Sequence, residues 1–324
     1  MQTIILAVLI GFVVSLGAGF LLIPVLRKLH AGQSIREDGP QSHLSKAGTP
    51  TMGGIFITLG VLAAVLVFIG KVNVYIWVAL ICAVAFGLIG LIDDLIIVLK
   101  HRNLGLKVWQ KFGAQFVFAV LIAIFAYNDS EIGSRLFIPI ANTYWDLGIW
   151  YIPFTVFVIL ALTNCVNLTD GLDGLAGGVT LIDAATFGII FLSMGTSKVW
   201  SQDMMIFSAG LTGAILGFLR YNTYPAKVFM GDTGSLFLGG ALSAIAIISR
   251  LQILIPFIGL MYVASGLSCI LQIGSFKLRH KRIFKMAPLH HHFELKGIHE
   301  TKIVSMYMII TAIMCLLILL TFTA

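Results

Sequence analysis

The stretch Asn164-Cys-Val-Asn-Leu-Thr-Asp-Gly-Leu-Asp-Gly-Leu-Ala-Gly-Gly178 sets two carboxylates, Asp170 and Asp173, and two amides, Asn164 and Asn167, at the end of an apolar run. A charge at the centre of a bilayer costs at least about 2.5–3.5 kcal/mol, so acids in such a place belong at the membrane surface or in a wet site. Asp170 and Asp173 would share a face of a continuing helix, although the repeated glycines also read as a tight turn between two spans. Asp93-Asp94 closes another apolar run. Adjacent carboxylates repel unless they share a proton or a cation. A divalent metal is a natural solution, because Mg²⁺ is commonly held by one or two carboxylates plus substrate phosphates. Asp232, in Asn222-Thr-Tyr-Pro-Ala-Lys-Val-Phe-Met-Gly-Asp-Thr-Gly-Ser235, sits among glycines and hydroxyls just before a further run. It fits a metal ligand, a nucleophile or a helix N-cap.

Basic and aromatic groups accompany these acids. Lys46-Ala-Gly-Thr-Pro-Thr-Met-Gly-Gly54 combines a point charge with hydroxyls and exposed N–H groups at a helix start, which suits anion binding as well as plain glycine packing. Lys100, Arg102, Lys107 and Lys111 follow the Asp pair and fit either a phosphate or a lipid-headgroup edge. His290-His291-His292 follows Ala287-Pro288-Leu289 without a companion cysteine, so donation to phosphate or nucleotide is preferred to transition-metal binding. Lys281, Arg282 and Lys285 suit a headgroup-facing edge. Phe229 fits stacking on a base or packing in lipid or core. Acids for Mg²⁺ and bases for phosphates are the mixture that phosphoryl transfer requires, since its catalysis is chiefly positioning and charge neutralisation.

The elements that must position these groups are membrane helices. The chain has 324 residues, 59% hydrophobic and only 11% charged, far from a soluble globular composition. Apolar runs long enough to span a bilayer recur, at about 3–26, 53–70, 75–92, 108–127, 150–166, 174–194, 204–219, 235–249, 253–275 and 303–323. The expectation is an all-α integral membrane protein with about ten transmembrane helices, forming a single polytopic domain over residues 1–324. No basic residue precedes the first run, so it reads as a retained helix with its N-terminus outside. That topology puts 17 Lys and Arg on the cytoplasmic side and only Lys71, Arg135, Lys198 and Arg250 opposite, as the positive-inside rule requires. The +7 net charge therefore follows topology and does not call for a nucleic acid partner. The same topology places both termini outside. Glu37, Asp38, Asp93, Asp94, Asp170, Asp173, Asp232, Glu294 and Glu300 then fall on the cytoplasmic side, where an active-site cleft is expected. Asp183 falls inside a span and needs a partner or a wet surface. The four cysteines show no CxxC and read as buried thiols. Residues 128–149 form the longest outer loop. A lipid substrate suits the membrane setting. A secondary transporter would gather its acids near the midplane, and a scaffold has no use for five polar clusters on one face.

Gly48-Thr-Pro-Thr-Met-Gly-Gly54, Asp93-Asp94, Asn167-Leu-Thr-Asp-Gly-Leu-Asp-Gly-Leu-Ala176, Phe229-Met-Gly-Asp-Thr-Gly-Ser235 and Ala287-Pro-Leu-His-His-His-Phe-Glu294 together resemble the signature segments of the phospho-N-acetylmuramoyl-pentapeptide transferases, bacterial enzymes of the polyprenyl-phosphate N-acetylhexosamine-1-phosphate transferase superfamily. The histidine segment looks like this branch; a GlcNAc-1-phosphate transferase is the alternative within the superfamily. The resemblance implies Mg²⁺-dependent transfer of phospho-MurNAc-pentapeptide from UDP-MurNAc-pentapeptide to undecaprenyl phosphate, yielding lipid I and UMP for peptidoglycan synthesis. It also implies a multi-pass protein of the bacterial plasma membrane, a cytoplasm-facing cleft and a homodimer. Carried over by position, Asp232 is the Mg²⁺ ligand, Asp93 the base or orienting acid and Asp94 its assistant. Asp170 and Asp173 lie near the nucleoside, with Asn167 and Phe229 on uridine. Lys46, Thr51, Asn222, His290, His291 and His292 contact substrate, and Lys111 or Lys107 serves as the lysine after the Asp pair.

Overall fold

In lipid every backbone polar group must be satisfied within the protein, which turns long apolar runs into helices. The computed structural model describes residues 1–29, 46, 48–100, 105–195 and 197–323; Glu37, Asp38 and Arg102 lie outside the described residues. The helices are α1 (Gln2–Lys28), α2 (Gly54–Val67), α3 (Val74–Lys100), α4 (Val108–Asn128), α5 (Tyr151–Thr169), α6 (Leu175–Met194), α7 (Ser201–Asn222), α8 (Gly231–Ile248), the short α9 (Ile255–Ile258), α10 (Leu260–Arg279), the short α11 (Leu289–Glu294) and α12 (Glu300–Thr323). Among the described residues nine helices are long and apolar enough to cross a membrane. The expected tenth, α2, has 14 residues; at about 1.5 Å per residue it is roughly 21 Å long, less than the ~30 Å hydrocarbon core.

Two other expectations are corrected. The run expected at 253–275 breaks into a 3₁₀ turn at Gln252–Leu254, α9 with Pro256 in its first turn, and then α10 beyond Gly259. The third span continues through Asp93-Asp94 to Lys100, so the pair lies within α3 and not beyond it. The loop over residues 128–149 is partly regular. It holds an antiparallel hairpin, β1 (Arg135–Ile138) on β2 (Thr143–Asp146), with Arg135 opposite Asp146. The four cysteines are free thiols, buried or half-buried.

Helix α8 is buried along almost its whole length and packs on α3, α5 and α2. Small residues permit this closeness. A Cβ on Gly90 of α3 would lie 2.1 Å from the Asp232 carbonyl oxygen, so that position admits only glycine without a backbone shift. Gly231, at φ +73°, adopts the left-handed conformation that glycine tolerates. A Cβ there would strike the Asp94 carboxylate and the Thr51 hydroxyl.

Helix starts are satisfied across helices. Asp203 of α7, fully buried, accepts the backbone N–H of Asn73 at 2.9 Å and of Ile76 at 3.1 Å, and so caps α3. Asp183, also fully buried, is approached by the Cys315 thiol at 3.7 Å. Cys315 on α12 is therefore the neighbour that the sequence did not reveal.

Candidate active site

The end of α3, the start of α4, the end of α5 and the start of α8 meet around Asp232. Asn167 Nδ2 donates to Asp232 Oδ1 at 2.6 Å and to Ser235 Oγ at 2.8 Å. The Lys111 ammonium pairs with Asp232 Oδ2 and lies 3.8 Å from Asp93 Oδ2. Asp93 Oδ1 accepts the Leu106 N–H at 2.6 Å. One cation thus sits between two carboxylates that α3 and α8 bring together. Lys111 is the lysine that reaches the acids. Lys107 is exposed at the start of α4 and makes no ion pair among the described residues.

Asp94 faces away from Asp93, as adjacent residues on a helix must. It accepts the N–H of Asp232 at 3.2 Å, the N–H of Thr233 at 2.9 Å and the Thr233 hydroxyl at 2.7 Å. Its carboxylate caps the start of α8, where anions are favoured by the helix dipole. The two members of the Asp pair thus have different partners: Asp93 meets Lys111, whereas Asp94 holds the backbone that carries Asp232.

A second polar group lies where the α5–α6 turn meets α12. Helix α5 ends at Thr169, and Gly174 at φ +79° starts α6. Asp170 and Asp173 consequently occupy a tight turn and not a shared helical face. Asp173 accepts the Lys46 ammonium at 2.7 Å and the Ala226 N–H at 2.9 Å, and Glu300 takes Lys46 from the other side at 2.6 Å. Burial opposes the charge on Lys46, but the Asp173 and Glu300 carboxylates outweigh it and raise its pKa above the ordinary lysine value. Desolvation, reinforced by the charges of Asp232, Asp94 and Asp173, pushes the Asp170 carboxyl up to about 8. The Tyr224 ring, 5.9 Å from Lys46 Nζ, and His299 help line a cleft of about 420 Å³ beside this triad.

The remaining expected residues are mainly framework contacts. Asn222 is buried, accepting the Gly174 N–H at 3.1 Å and donating to the Val228 carbonyl at 3.0 Å. It ties the acidic turn to the loop before α8. Phe229 is half-buried, and its backbone pairs with Pro50 and Gly53. Thr51 is buried against Gly231. His290 is buried with its ring edge against Gly171. His291 pairs with Glu294 at 2.6 Å. His292 accepts the Lys285 N–H at 3.0 Å, and burial with the charges of Lys296 and Lys285 lowers its pKa. Sequence reasoning gave no role to Glu300, Ser235 or the Leu106 N–H. Glu300 was visible as one of the acids on the polar face, but its pairing with a lysine 254 positions away is a property of the fold.

The Glycosyl transferase family 4 profile matches residues 76–250, and the phospho-N-acetylmuramoyl-pentapeptide-transferase signature 1 matches residues 46–57. The chain is 48% identical to the phospho-N-acetylmuramoyl-pentapeptide-transferase of Clostridium novyi, over 98% of this chain and 96% of the relative. The chain belongs to the phospho-N-acetylmuramoyl-pentapeptide transferases. It is likewise 48% identical to the Clostridium kluyveri transferase over 98% of both chains, and 48% identical to that of Thermoanaerobacter pseudethanolicus over 97% of this chain and 96% of the relative. Signature 1 begins at Lys46 and ends in α2, so in this transferase it covers the segment that pairs with Phe229 and reaches Asp173.

The family resemblance implies Mg²⁺, and the residues present fit it. Asp93 and Asp232 offer hard oxygen donors around a spot that already attracts a cation, the Lys111 ammonium. Among the described residues no group of three or more His, Cys, Asp and Glu could hold a metal. A site of one or two carboxylates, completed by substrate phosphate oxygens, is the usual Mg²⁺ arrangement.

Proposed function

We infer that the protein transfers phospho-MurNAc-pentapeptide from UDP-MurNAc-pentapeptide to undecaprenyl phosphate, giving lipid I and UMP in peptidoglycan synthesis. Family membership supports this reaction and donor class. The observation that carries the chemistry is the convergence of Asp93, Lys111 and Asn167 on Asp232. Two anions, the acceptor phosphate and the donor pyrophosphate, must approach each other in line. A half-buried ammonium and a fixed amide supply the neutralisation and orientation that such a transfer needs.

Asp232, with Asp93 beside it, would hold Mg²⁺. When bound, Mg²⁺ neutralises pyrophosphate charge and favours departure of UMP. Lys111 balances the carboxylates and then the developing charge on the phosphates. Asn167 fixes the rotamer of Asp232, and Ser235 accepts the second N–H of the same amide. Asp93, oriented by the Leu106 N–H, faces the acceptor phosphate. That phosphate has a second pKa near ~6, so it is largely dianionic at neutral pH and needs orientation more than deprotonation. Its oxygen attacks the β-phosphorus directly. The new P–O bond forms as the bond to the α-phosphate oxygen breaks, and UMP leaves with that electron pair. The two-step alternative would instead leave phospho-MurNAc-pentapeptide on Asp232 or Asp93 in the absence of the lipid acceptor.

The Lys46–Asp173–Glu300 cleft receives the nucleoside end of the donor; Glu294, the partner of His291, also lines it. The charge asymmetry along the sequence supports a cytoplasm-facing site, outward termini and residence in the bacterial plasma membrane; a homodimer follows from the family resemblance. The test is purified protein in nanodiscs with donor labelled in the sugar. Label should pass to an organic-extractable lipid only when undecaprenyl phosphate and Mg²⁺ are both present. Label trapped on protein without the lipid acceptor would refute the direct route, and no labelled lipid would refute the function.

A further inference from the structure

One turn deeper than the site, α4 and α5 meet through a pair of amides. Asn164 Nδ2 donates to Gln115 Oε1 at 2.7 Å and to the Leu160 carbonyl at 2.8 Å. Gln115 is four residues beyond Lys111, and Asn164 is three residues before Asn167, so each amide lies on the same helical face as a residue that grips Asp232. The other buried positions of α4 are Ala119, Ala123 and Ala126. Such a smooth stripe can slide or rotate on its neighbour with little loss of packing, and Gln115 is the polar group in it. Gln115 is fully buried, and its Nε2 has no partner among the described residues. A buried amide with an unused donor weakens a helix interface relative to an apolar side chain of similar size. Stability therefore does not account for this residue. Register does: a single buried polar contact can fix how two helices align at the expense of stability.

Resting on the transferase reading above, we propose that Gln115 and Asn164 are positioning residues that lock α4 to α5 in the one register at which Lys111 and Asn167 reach Asp232 together. Gln115 is closed off from solvent, and the half-buried Asn164 spends its amide N–H groups on Gln115 and the Leu160 carbonyl. Both act through the rows above them.

The experiment uses the full-length protein in nanodiscs, with UDP-MurNAc-pentapeptide, undecaprenyl phosphate and Mg²⁺. The variants are Gln115→Leu, Asn164→Leu, their combination, the exchanged pair Gln115→Asn with Asn164→Gln, and Gln115→Leu added to Lys111→Ala. Expected for Gln115→Leu is a kcat about tenfold lower, a donor KM within about twofold of the parent, and a thermal midpoint equal to or above it. The double Leu variant should be no slower than either single one, and the exchanged pair should recover most of the rate. The residual rate of Lys111→Ala should not fall further when Gln115→Leu is added. Parental kcat in Gln115→Leu overturns the proposal. So does a lowered thermal midpoint in that variant, which would make the pair merely structural, or penalties that multiply with Lys111→Ala. Absence of turnover by the parent would instead overturn the transferase reading, so the two failures are distinguishable.

Discussion

Asp232 has both carboxylate oxygens engaged within the protein, one by Lys111 and one by Asn167. An amide at that position keeps the shape but loses the charge that pairs with Lys111 and suits Mg²⁺. Asp232→Asn should lower UMP release by at least about 100-fold, the scale of losing one preorganised electrostatic contact, while thermal denaturation shows the protein still folded; retained turnover would remove Asp232 from the centre of the account. Glu300 makes a different prediction. Its partner Lys46 has a folded-state pKa raised above 10.5 by Asp173 and Glu300 against the opposing effect of burial. A lysine raised on folding contributes stability that is complete below its unfolded pKa and is lost as pH rises through the folded value. Glu300→Gln should therefore have a lower thermal midpoint than the parent from neutral pH up to about 10.5, with the gap closing only above that. A gap that closes near neutrality would show that the stabilisation does not come from the lysine.

Helix α3 carries the site because of its two ends. Asp203 of α7 caps its start, and its own Asp94 caps α8 near the other end. Where water cannot satisfy free N–H groups, such loans between helices decide which elements stay aligned. Asp203→Ala should lower stability by about 1–2 kcal/mol, the usual worth of a cap, in reversible unfolding within detergent, with the donor KM unchanged. Gly90→Ala should act at the site itself, because its Cβ would lie 2.1 Å from the Asp232 carbonyl oxygen. Overpacking of this kind costs about 1–3 kcal/mol, and turnover should fall with it, whereas Leu88→Ala on an exposed position of the same helix should change neither. The sequence made the apolar runs legible, together with the acids at their ends, because hydropathy and motif spacing are local. It did not show that Asp94 serves α8 while Asp93 serves Lys111, that Lys46 belongs to Glu300, or that Cys315 neighbours Asp183. Apart from Asp93 with Lys111, those pairings join positions far apart in the chain. The short α2 and the break at Gly259 escaped for a different reason: an apolar run looks the same whether or not the helix inside it is complete.

Across the whole molecule, the polar ends of α3, α4, α5, α6, α8 and α12 gather at one end of the bundle, while Asp203 and the β-hairpin mark the other. The 17-to-4 division of Lys and Arg is a property of the sequence that the proposed orientation uses. A reporter active only outside the cytoplasm should be active when fused after Ala324 and silent when fused in the loop before Glu300; the reverse pattern would invert the proposed orientation. The polar face was legible from the sequence as a collection of clusters, and the fold resolves it into two linked groups, one around Asp232 and one around Lys46. The choice of donor tests the central claim most directly. UMP release by the purified protein should be measured with undecaprenyl phosphate and Mg²⁺, comparing UDP-MurNAc-pentapeptide with UDP-GlcNAc. Turnover of UDP-MurNAc-pentapeptide alone is the predicted result, whereas turnover of UDP-GlcNAc in its place would contradict the account and assign the same acidic site to a GlcNAc-1-phosphate transferase.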